Sequence, residues 1–538
     1  MNEKRFVLAF SLSLLILFAY PYILQKIYPT QPQQAHNESL PAQVPANPPV
    51  SSVAPEISSK DSFDEGEEEK KFDYEDANYV ATFTNLGGAI SSLSLKSFVH
   101  GRAHGNYLLE DKKEAVRGFA VRILNDGAWT EGAYALEKKD KYSVVFSKED
   151  IKPLRIRKSY WFLPEQPYVF VLEIAIQNLS QEARRIEYEL VAPLFVGDDH
   201  AHGQPYLEAD YMKSGEMEVR AAQKLVKNGF LKEGPMDWVA LEKKYFTVIV
   251  KPENTIEHVR SSGSEHVVVH YIKPQAVEIP PGGSATQKFY VYAGPKNYEA
   301  LKAAHLGFEK ILHTKFLGGL WIYFLILLRF FYKMFNNYGI AIIVLSAVIK
   351  LLFAPLTHIS FASMKKMQDL QPKLKHLQDQ HKNDPQRLNK EVMELYKKNK
   401  VNPFGGCLPM LLQMPIFIAL YQTFSTAIEL RGAPFYGWIK DLSEPDQFFL
   451  MPFSLPILGN QVNILPLIMI GTMVWQQKLT PQASVTPEQK MMTNIMPIMF
   501  GFIFYGLPSG LVIYWIVNNI LTIAHQLLIH KTPAPSAT

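Results

Sequence analysis

Six apolar runs are the sequence feature that most constrains the fold of this chain. Several approach the roughly 20 residues that a helix needs to cross a bilayer, and the two shorter runs would rely on tilt or on flanking polar residues. We therefore predict six transmembrane helices. The runs are Phe6–Leu24, Gly339–His358, Pro409–Phe424, Ile464–Trp475, Ile495–Leu507 and Leu511–Leu528.

The distribution of charge predicts how these spans are oriented. Lys4 and Arg5 precede the first run, and no small-residue cleavage site follows it closely, which indicates a signal anchor; a cleaved signal peptide is the alternative. The loop between the second and third runs has a clear excess of Lys and Arg over Asp and Glu, as cytoplasmic loops do. Both termini are therefore predicted to be cytoplasmic.

A large segment between the first two spans is predicted to lie outside the membrane. Residues 29–71 are rich in Pro, Gln, Ser and Ala, a composition typical of a disordered linker. Residues 72–296 contain short alternating strand patterns separated by Gly and Pro turns, which predicts a large extracytoplasmic β-sandwich. Residues 297–336 are predicted to form a connecting helix and an amphipathic helix lying in the outer interface. A seventh span over 319–336 is the alternative, which the charge rule disfavours.

The basic loop also has the apolar periodicity of helices. One stripe ends before the break at Asn383 and Pro385, and a second follows it, so residues 359–404 are predicted to form a cytoplasmic helical hairpin. Its lysines suit, as a group, an anionic partner such as ribosomal RNA or lipid headgroups, whereas for each lysine alone a solvated face is the preferred interpretation. The candidate contact residues are Lys365, Lys366, Lys373, Lys397 and Lys398.

Lys350 lies near the middle of an otherwise apolar stretch. A charge at the bilayer centre costs roughly 2.5 to 3.5 kcal/mol, and such residues usually face a bundle interior or a water-filled cavity. The alternative is that its ammonium reaches the nearer interface along the apolar stem. Ser346 and Thr357 are spaced to share a helical face with Lys350. For the Asn and Gln residues of other runs, taken singly, hydrogen bonds between helices are preferred over a functional role.

Nothing in the sequence demands an enzyme or a cofactor. No nucleotide-binding, hydrolase or zinc-protease motif stands out. Asp198, Asp199, His200 and His202 offer metal-ligand chemistry, but spacing alone does not make them converge, so a polar loop tip is preferred and no metal is predicted. Cys407 is the only cysteine, which excludes an intrachain disulfide.

Three long motifs give a more specific indication. They are APLTHISFASMKKMQDLQPKL at 354–374, ELYKKNKVNPFGGCLPMLLQMPIFIALY at 394–421 and FYGLPSGLVIYWIVNNILTIAHQ at 504–526. With these motifs the chain resembles the YidC/Oxa/Alb family of membrane protein insertases. The anchor and the large β-domain further resemble the Gram-negative form, whose periplasmic domain is a β-supersandwich. The resemblance covers the core from about Gly339 to Ile529. We accordingly predict an anchor helix over 1–28, a five-helix insertase core over 337–530 and a short cytoplasmic tail over 531–538.

The resemblance also implies a function. It implies a bacterial inner-membrane insertase and chaperone that acts on nascent membrane proteins, alone or with the Sec translocon and the ribosome, in contact with membrane lipid and without a small-molecule cofactor. It puts Lys350 in a hydrophilic groove, where the family usually has Arg, with further residues at or near the groove. These are Ser346, Gln413, Tyr514 and Trp515.

Two other functions remain open from the residues. A solute transporter or channel would use Lys350 as a counter-charge for its substrate, although the internal repeats common in transporters are not evident. A carbohydrate-binding role for the β-domain would rest on fold analogy alone.

Overall fold

The computed structural model divides the chain into two compact units, with the division between Ile311 and Leu312. The structure describes residues 68–98, 107–109, 117–124, 132–151, 153–195, 207–221, 229–263, 267–312, 320–381, 384–399, 401, 408–455, 459–479 and 487–531. The predicted anchor helix, nearly all of the predicted linker, the tail beyond 531 and the polar segment with Asp198 and His200 lie outside these residues. Predictions about those segments stay predictions.

The described part of the first unit consists mainly of antiparallel strands. Their bounds are β1 Lys71–Glu75, β2 Tyr79–Thr84, β3 Ala89–Leu95, β4 Tyr107–Leu109, β5 Val121–Ile123, β6 Ala135–Lys139, β7 Ser143–Ile151, β8 Leu154–Phe162, β9 Val169–Asn178, β10 Arg184–Ile186, β11 Tyr188–Phe195, β12 Leu207–Lys213, β13 Glu216–Ala221, β14 Phe230–Met236, β15 Trp238–Lys243, β16 Phe246–Pro252, β17 Ile256–Gly263, β18 Val267–Pro274, β19 Val277–Ile279 and β20 Ser284–Pro295.

These strands form three main sheets. The largest has the order β13-β12-β15-β16-β20-β9-β8-β7-β6, the second β14-β17-β18-β11-β5 and the third β1-β2-β3-β4, while β10 pairs with β19. The strands show the burial pattern with a period of two residues that is expected of a sheet packed on one face. In β9, buried and half-buried residues alternate over most of the strand. The predicted β-sandwich is confirmed.

A buried chain of hydrogen bonds joins the nine-stranded and five-stranded sheets. The Tyr211 hydroxyl lies 2.7 Å from Ser261 Oγ, which lies 2.8 Å from His270 Nδ1. His270 Nε2 lies 3.0 Å from the Ala240 carbonyl, which only accepts, so Nε2 carries the hydrogen. It follows that Ser261 donates to Nδ1 and Tyr211 donates to Ser261. Burial lowers the pKa of His270 to about 4, which keeps the imidazole neutral as this chain requires.

Aromatic packing joins the four-stranded sheet to the nine-stranded sheet. Tyr74 of β1 stacks on Phe162 of β8 with ring centroids 4.1 Å apart, and Phe83 of β2 meets Tyr160 edge-on at 5.0 Å. After β20 the chain forms a short helix, α1 (Tyr298–Ala303), whose first turn is capped by the Asn297 side chain.

The second unit is helical in its described residues apart from one small ribbon. Its elements are α2 Leu320–Phe335, α3 Tyr338–Leu352, α4 Ala354–Asp369, α5 Gln371–Gln380, α6 Pro385–Lys398, α7 Leu408–Thr426, β21 Phe449–Leu455, β22 Gly459–Val462, α8 Leu465–Leu479, α9 Pro487–Phe504 and α10 Ser509–Lys531. Helix α2 buries Trp321 and Leu328 and exposes Tyr323 and Phe330, so large apolar side chains occupy both its buried and its exposed sides. Its predicted place in the outer interface stays a prediction.

The second apolar run does not form one straight helix as the sequence led us to expect. Helices α3 and α4 meet at Phe353 with a bend of 62°. Pro355 explains the break, because it has no N–H to donate and its ring clashes with the carbonyl of residue 351. Lys350 therefore lies in the last turn of α3 rather than in mid-helix, and Thr357 lies on a different helix from Lys350.

The predicted helical hairpin is present. Its first arm consists of the carboxyl-terminal part of α4 followed by α5, with a break between the two helices at Leu370. Its second arm is α6. Four residues of the first predicted apolar stripe, Met364, Met367, Leu370 and Leu374, form one buried cluster with Tyr396 and Val401, which the pattern did not include. Asp384 caps the second arm by accepting from Arg387 N at 3.0 Å.

Strands β21 and β22 form a two-stranded ribbon, and we call its described residues, 448–455 and 459–462, the aromatic hairpin. Its backbone pairing includes Phe449 with Val462 and Leu450 with Gln461. Among the described helices, one is by itself long and apolar enough to cross a membrane, Ser509–Leu528 within α10, and the bent pair α3 and α4 would be a second if it were one span.

Candidate functional site

A polar contact to α10 holds Lys350 in the helical unit. Lys350 is half-buried, and its ammonium donates to Thr522 Oγ1 at 2.6 Å. Thr522 Oγ1 donates in turn to the Asn518 carbonyl, also at 2.6 Å, so its lone pairs remain for the ammonium. Among the described residues no ion pair to Lys350 is formed. Because the Thr522 hydroxyl is neutral, its contact with the ammonium leaves the positive charge of Lys350 uncancelled.

The position of Lys350 in α3 reduces the cost of that charge. It lies in the last turn of the helix, where carbonyl groups without helical partners give the helix end a partial negative charge. A cation there is typically stabilised by about 0.3 to 1 kcal/mol when exposed, and by more when partly buried. The break at Phe353 thus does more than bend the chain, because it provides a favourable helix end for the ammonium.

Ser346 lies one turn before Lys350 but makes a different contact. Its side chain is buried, and its hydroxyl donates to the Ile342 carbonyl of the same helix at 2.7 Å. The Ser346 hydroxyl thus bonds within its own helix, whereas the Lys350 ammonium bonds to a residue of another helix.

Gln413 and Tyr514 form a second polar contact between helices. The Gln413 amide donates to the Tyr514 hydroxyl, which joins α7 to α10, and Tyr514 is fully buried. The structure brings these two predicted site residues together. On α10, Tyr514, Asn518 and Thr522 follow one another at intervals of four residues, so they lie along one side of the helix.

Trp515 lies next to Tyr514 in sequence but among aromatic residues. Its ring centroid lies 5.3 Å from that of Phe417 and 5.0 Å from that of Phe504. Its indole N–H is buried and has no hydrogen-bond partner within the described part of the chain. Trp515 therefore joins the aromatic packing between α7, α9 and α10.

Two threonines of this region were missed by sequence reasoning. Thr522 holds Lys350, and Thr472 of α8 accepts from Asn519 Nδ2 at 3.0 Å. The i, i+4 spacing of Thr522 from Asn518 was a usable signal for Thr522. One turn further along α10, His525 stacks against His358 of α4 with ring centroids 6.2 Å apart.

The predicted hairpin contact residues are all exposed. Lys365, Lys366 and Lys373 project from the first arm, and Lys397 and Lys398 from the end of the second. Among the described residues none of these five lysines forms an ion pair, whereas Arg387 and His381 lie 3.3 and 3.0 Å from Glu391 carboxylate oxygens. Their accessibility is compatible with contact to an anionic partner, which stays a prediction.

One group of acids in the β-domain has ligand chemistry for a metal. Within the described residues, carboxylate oxygens of Glu208, Asp210 and Glu242 lie within 4.8 Å of one another. Lys296 already pairs with Glu242 at 2.9 Å and supplies a cation to this site. The prediction that the chain binds no metal stays a prediction.

Comparison with known proteins identifies the class of protein to which these two units belong. Residues 330–535 match the family described as 60Kd inner membrane protein, and residues 74–325 match the YidC periplasmic domain. The chain is thus an inner-membrane protein with a periplasmic β-sandwich domain.

Individual relatives place it within one family. The chain is 34% identical to the membrane protein insertase YidC of Syntrophus aciditrophicus over 98% of this chain and 99% of that relative. It is 33% identical to the YidC of Pelobacter propionicus with the same coverage. A crystal structure described as an active YidC insertase with its first transmembrane domain resolved aligns over 87% of this chain and 94% of that chain, with 17% identity and a TM-score of 0.38. The chain belongs to the YidC family of membrane protein insertases.

Proposed function

We propose that this chain inserts newly made proteins into the inner membrane and assists their folding. It would use Lys350 and the polar side chains that lie along one side of α10. The family membership supports this function, since the relatives over nearly the full chain are named membrane protein insertases. The observation that carries the role of Lys350 is its 2.6 Å bond to the Thr522 hydroxyl, because this contact fixes the ammonium without neutralising it.

The proposed mechanism needs no reaction. A fixed positive charge inside an apolar bundle attracts acidic residues in a short hydrophilic segment of the incoming protein, and the attraction is strong where water is scarce. Polar groups along α10 shorten the apolar path which that segment must cross. The incoming apolar helix then enters lipid, and its burial at about 25 cal/mol per Å² drives the step.

The membrane arrangement is part of the proposal. The six apolar runs would be six spans, and the charge distribution supports a cytoplasmic place for both termini and for the 359–404 hairpin. The hairpin lysines would contact ribosomal RNA or lipid headgroups, and the Sec translocon would be a second partner. We further propose that residues 72–296 are accessory to insertion, so that deletion of 60–290 leaves insertion measurable.

Substitution of Lys350 tests the electrostatic role. In proteoliposomes, Lys350→Glu should reduce the insertion of a substrate with an acidic amino-terminal tail at least tenfold, whereas Lys350→Arg should retain it because the charge is kept. Lys440→Glu, a change at an exposed loop lysine, serves as the matched control. Equal insertion by Lys350→Glu and the parent chain would refute the role of charge. Solute flux without insertion would favour a transporter, a function that none of the relatives described above supports.

A further inference from the structure

The aromatic hairpin exposes large apolar side chains on both of its faces. Phe449 and Leu450 are consecutive strand residues and so point to opposite faces, yet they are 50% and 51% exposed. Phe453, further along the same strand, is 59% exposed. A lone two-stranded hairpin is marginally stable in water, and exposed apolar patches of this kind mark a contact surface. A partner must therefore surround the ribbon rather than cover one side.

The base of the aromatic hairpin is fixed to the ends of two apolar helices. Asp446 Oδ2 accepts from Ile464 N at 2.9 Å and from Leu465 N at 3.1 Å, which caps the start of α8. Asn463 Nδ2 donates to the Tyr505 carbonyl at 2.7 Å, just after α9 ends. The ribbon therefore projects from the level at which α8 and α9 end.

The sequence that runs from the aromatic hairpin into α8 carries no charge beyond Asp446 at its base. No Asp, Glu, Lys, Arg or His occurs between Gln447 and Gln477, a segment that includes the whole hairpin and most of α8. Directly beyond the base, Leu467 and Ile468 of α8 are also exposed. Exposed apolar side chains thus occur both on the ribbon and on the start of the helix that follows it, which would face lipid in the proposed topology. Aromatic side chains at that level are typical of the membrane–water boundary.

We propose that the aromatic hairpin is a lipid-binding element that inserts Phe449, Leu450 and Phe453 into the outer-leaflet interface of the membrane. Its ligand is phospholipid at the level of the glycerol backbone and the upper acyl chains. Immersion accounts for apolar exposure on both faces, which a protein docked on one face would not. The inference rests on the membrane topology proposed above and not on insertion activity.

Fluorescence quenching in the full chain tests this proposal. Phe453→Cys in a Cys407→Ser background is labelled with an NBD fluorophore and reconstituted into nanodiscs of phosphatidylethanolamine and phosphatidylglycerol. Ile468→Cys on α8 is the lipid-exposed reference, and Lys440→Cys is the reference for a loop in water. We expect a 5-doxyl lipid to quench position 453 at least half as strongly as position 468. We expect aqueous iodide to quench it at least threefold less than position 440.

Two results would overturn the proposal. Iodide quenching at 453 equal to that at 440 would place the hairpin in water, and protection from both quenchers would indicate a protein contact. Phe449→Cys provides a second position if the first variant is poorly folded. The readout involves no substrate, so failure of the insertion assay and failure of lipid contact are separate outcomes.

Discussion

The Lys350 ammonium and the Thr522 hydroxyl, 2.6 Å apart, join the end of α3 to the middle of α10. Thr522 is buried, and it donates its own hydrogen to the Asn518 carbonyl. Lys350 thus gains a fixed position from a neutral group. A carboxylate in the place of Thr522 would fix the ammonium equally well but would cancel the charge on which the proposed function depends.

Breaking this contact should have a measurable effect that depends on Lys350. Thr522→Val removes the acceptor, whereas Thr522→Ser keeps it. Hydrogen bonds between membrane helices contribute about 0.6 to 2 kcal/mol, so Thr522→Val should lower the unfolding free energy by that amount in the parent chain. In a Lys350→Met background the loss caused by Thr522→Val should be smaller. Thermal unfolding of the parent, the two single variants Thr522→Val and Lys350→Met, and the double variant measures this coupling. Equal losses in both backgrounds would show that Thr522 acts through packing alone.

The sequence was sufficient to predict most of the elements but not the contacts of Lys350. Period-two alternation predicted strands such as β9, and the apolar stripe with Leu374 predicted the helical hairpin, because both patterns are local. The partner of Lys350 could not be predicted, because Thr522 is 172 residues away and helix pairing carries no sequence signal of its own. The break before Pro355 was predictable from the proline, but the length of the apolar run suggested a continuous helix.

The resemblance to insertases predicted residues rather than their contacts. Gln413 and Tyr514 proved to bond each other, which no motif states. Neighbouring residues on a helix point about 100° apart, so Trp515 makes different contacts from Tyr514 and packs against Phe417 and Phe504.

Asp210 should make the β-domain less stable as pH rises. Burial, and next the neighbouring Glu242, raises the pKa of this carboxyl well above its ordinary value. The folded domain therefore keeps a proton that the unfolded chain releases above about pH 4, so the unfolding free energy falls with pH in this range. Asp210→Asn should remove this dependence and stabilise the domain at pH 7. Hydrogen exchange of β12 and β15 amides in the full chain, measured from pH 5 to pH 8, gives the slope. An unchanged slope in the variant would contradict the prediction.

Lys158 should have the opposite effect at higher pH. It is fully buried, its amine donates to the Gly87 and Phe119 carbonyls at 2.9 and 2.6 Å, and burial lowers its pKa to about 7. Between pH 7 and the ordinary value of 10.5, the unfolded chain holds the proton and the folded domain does not, so the unfolding free energy rises with pH.

Lys158→Met tests this effect against a surface control. The variant should lose the rise in unfolding free energy between pH 7 and pH 9, which amounts to at most about 1.4 kcal/mol per pH unit. Lys139→Met, at an exposed position on β6, should keep it. Denaturant unfolding of the full chain followed at the β-domain gives both curves, and parallel curves for Lys158→Met and the parent would refute the prediction.

Packing within the helical hairpin should depend on Leu374 far more than on Leu377. Leu374 is buried with Met367 and Tyr396, whereas Leu377 is only half-buried on the same arm. Leu374→Ala should cost about 2 to 5 kcal/mol, and Leu377→Ala clearly less, because only the first leaves a cavity. A cost of about 2 kcal/mol corresponds to roughly 30-fold faster hydrogen exchange of α5 and α6 amides that open together. The lysines are untouched in both variants, so any difference in ribosome binding between them would report the fold of the hairpin rather than its charge. Equal exchange rates in the two variants would mean that the two arms open without separating this cluster.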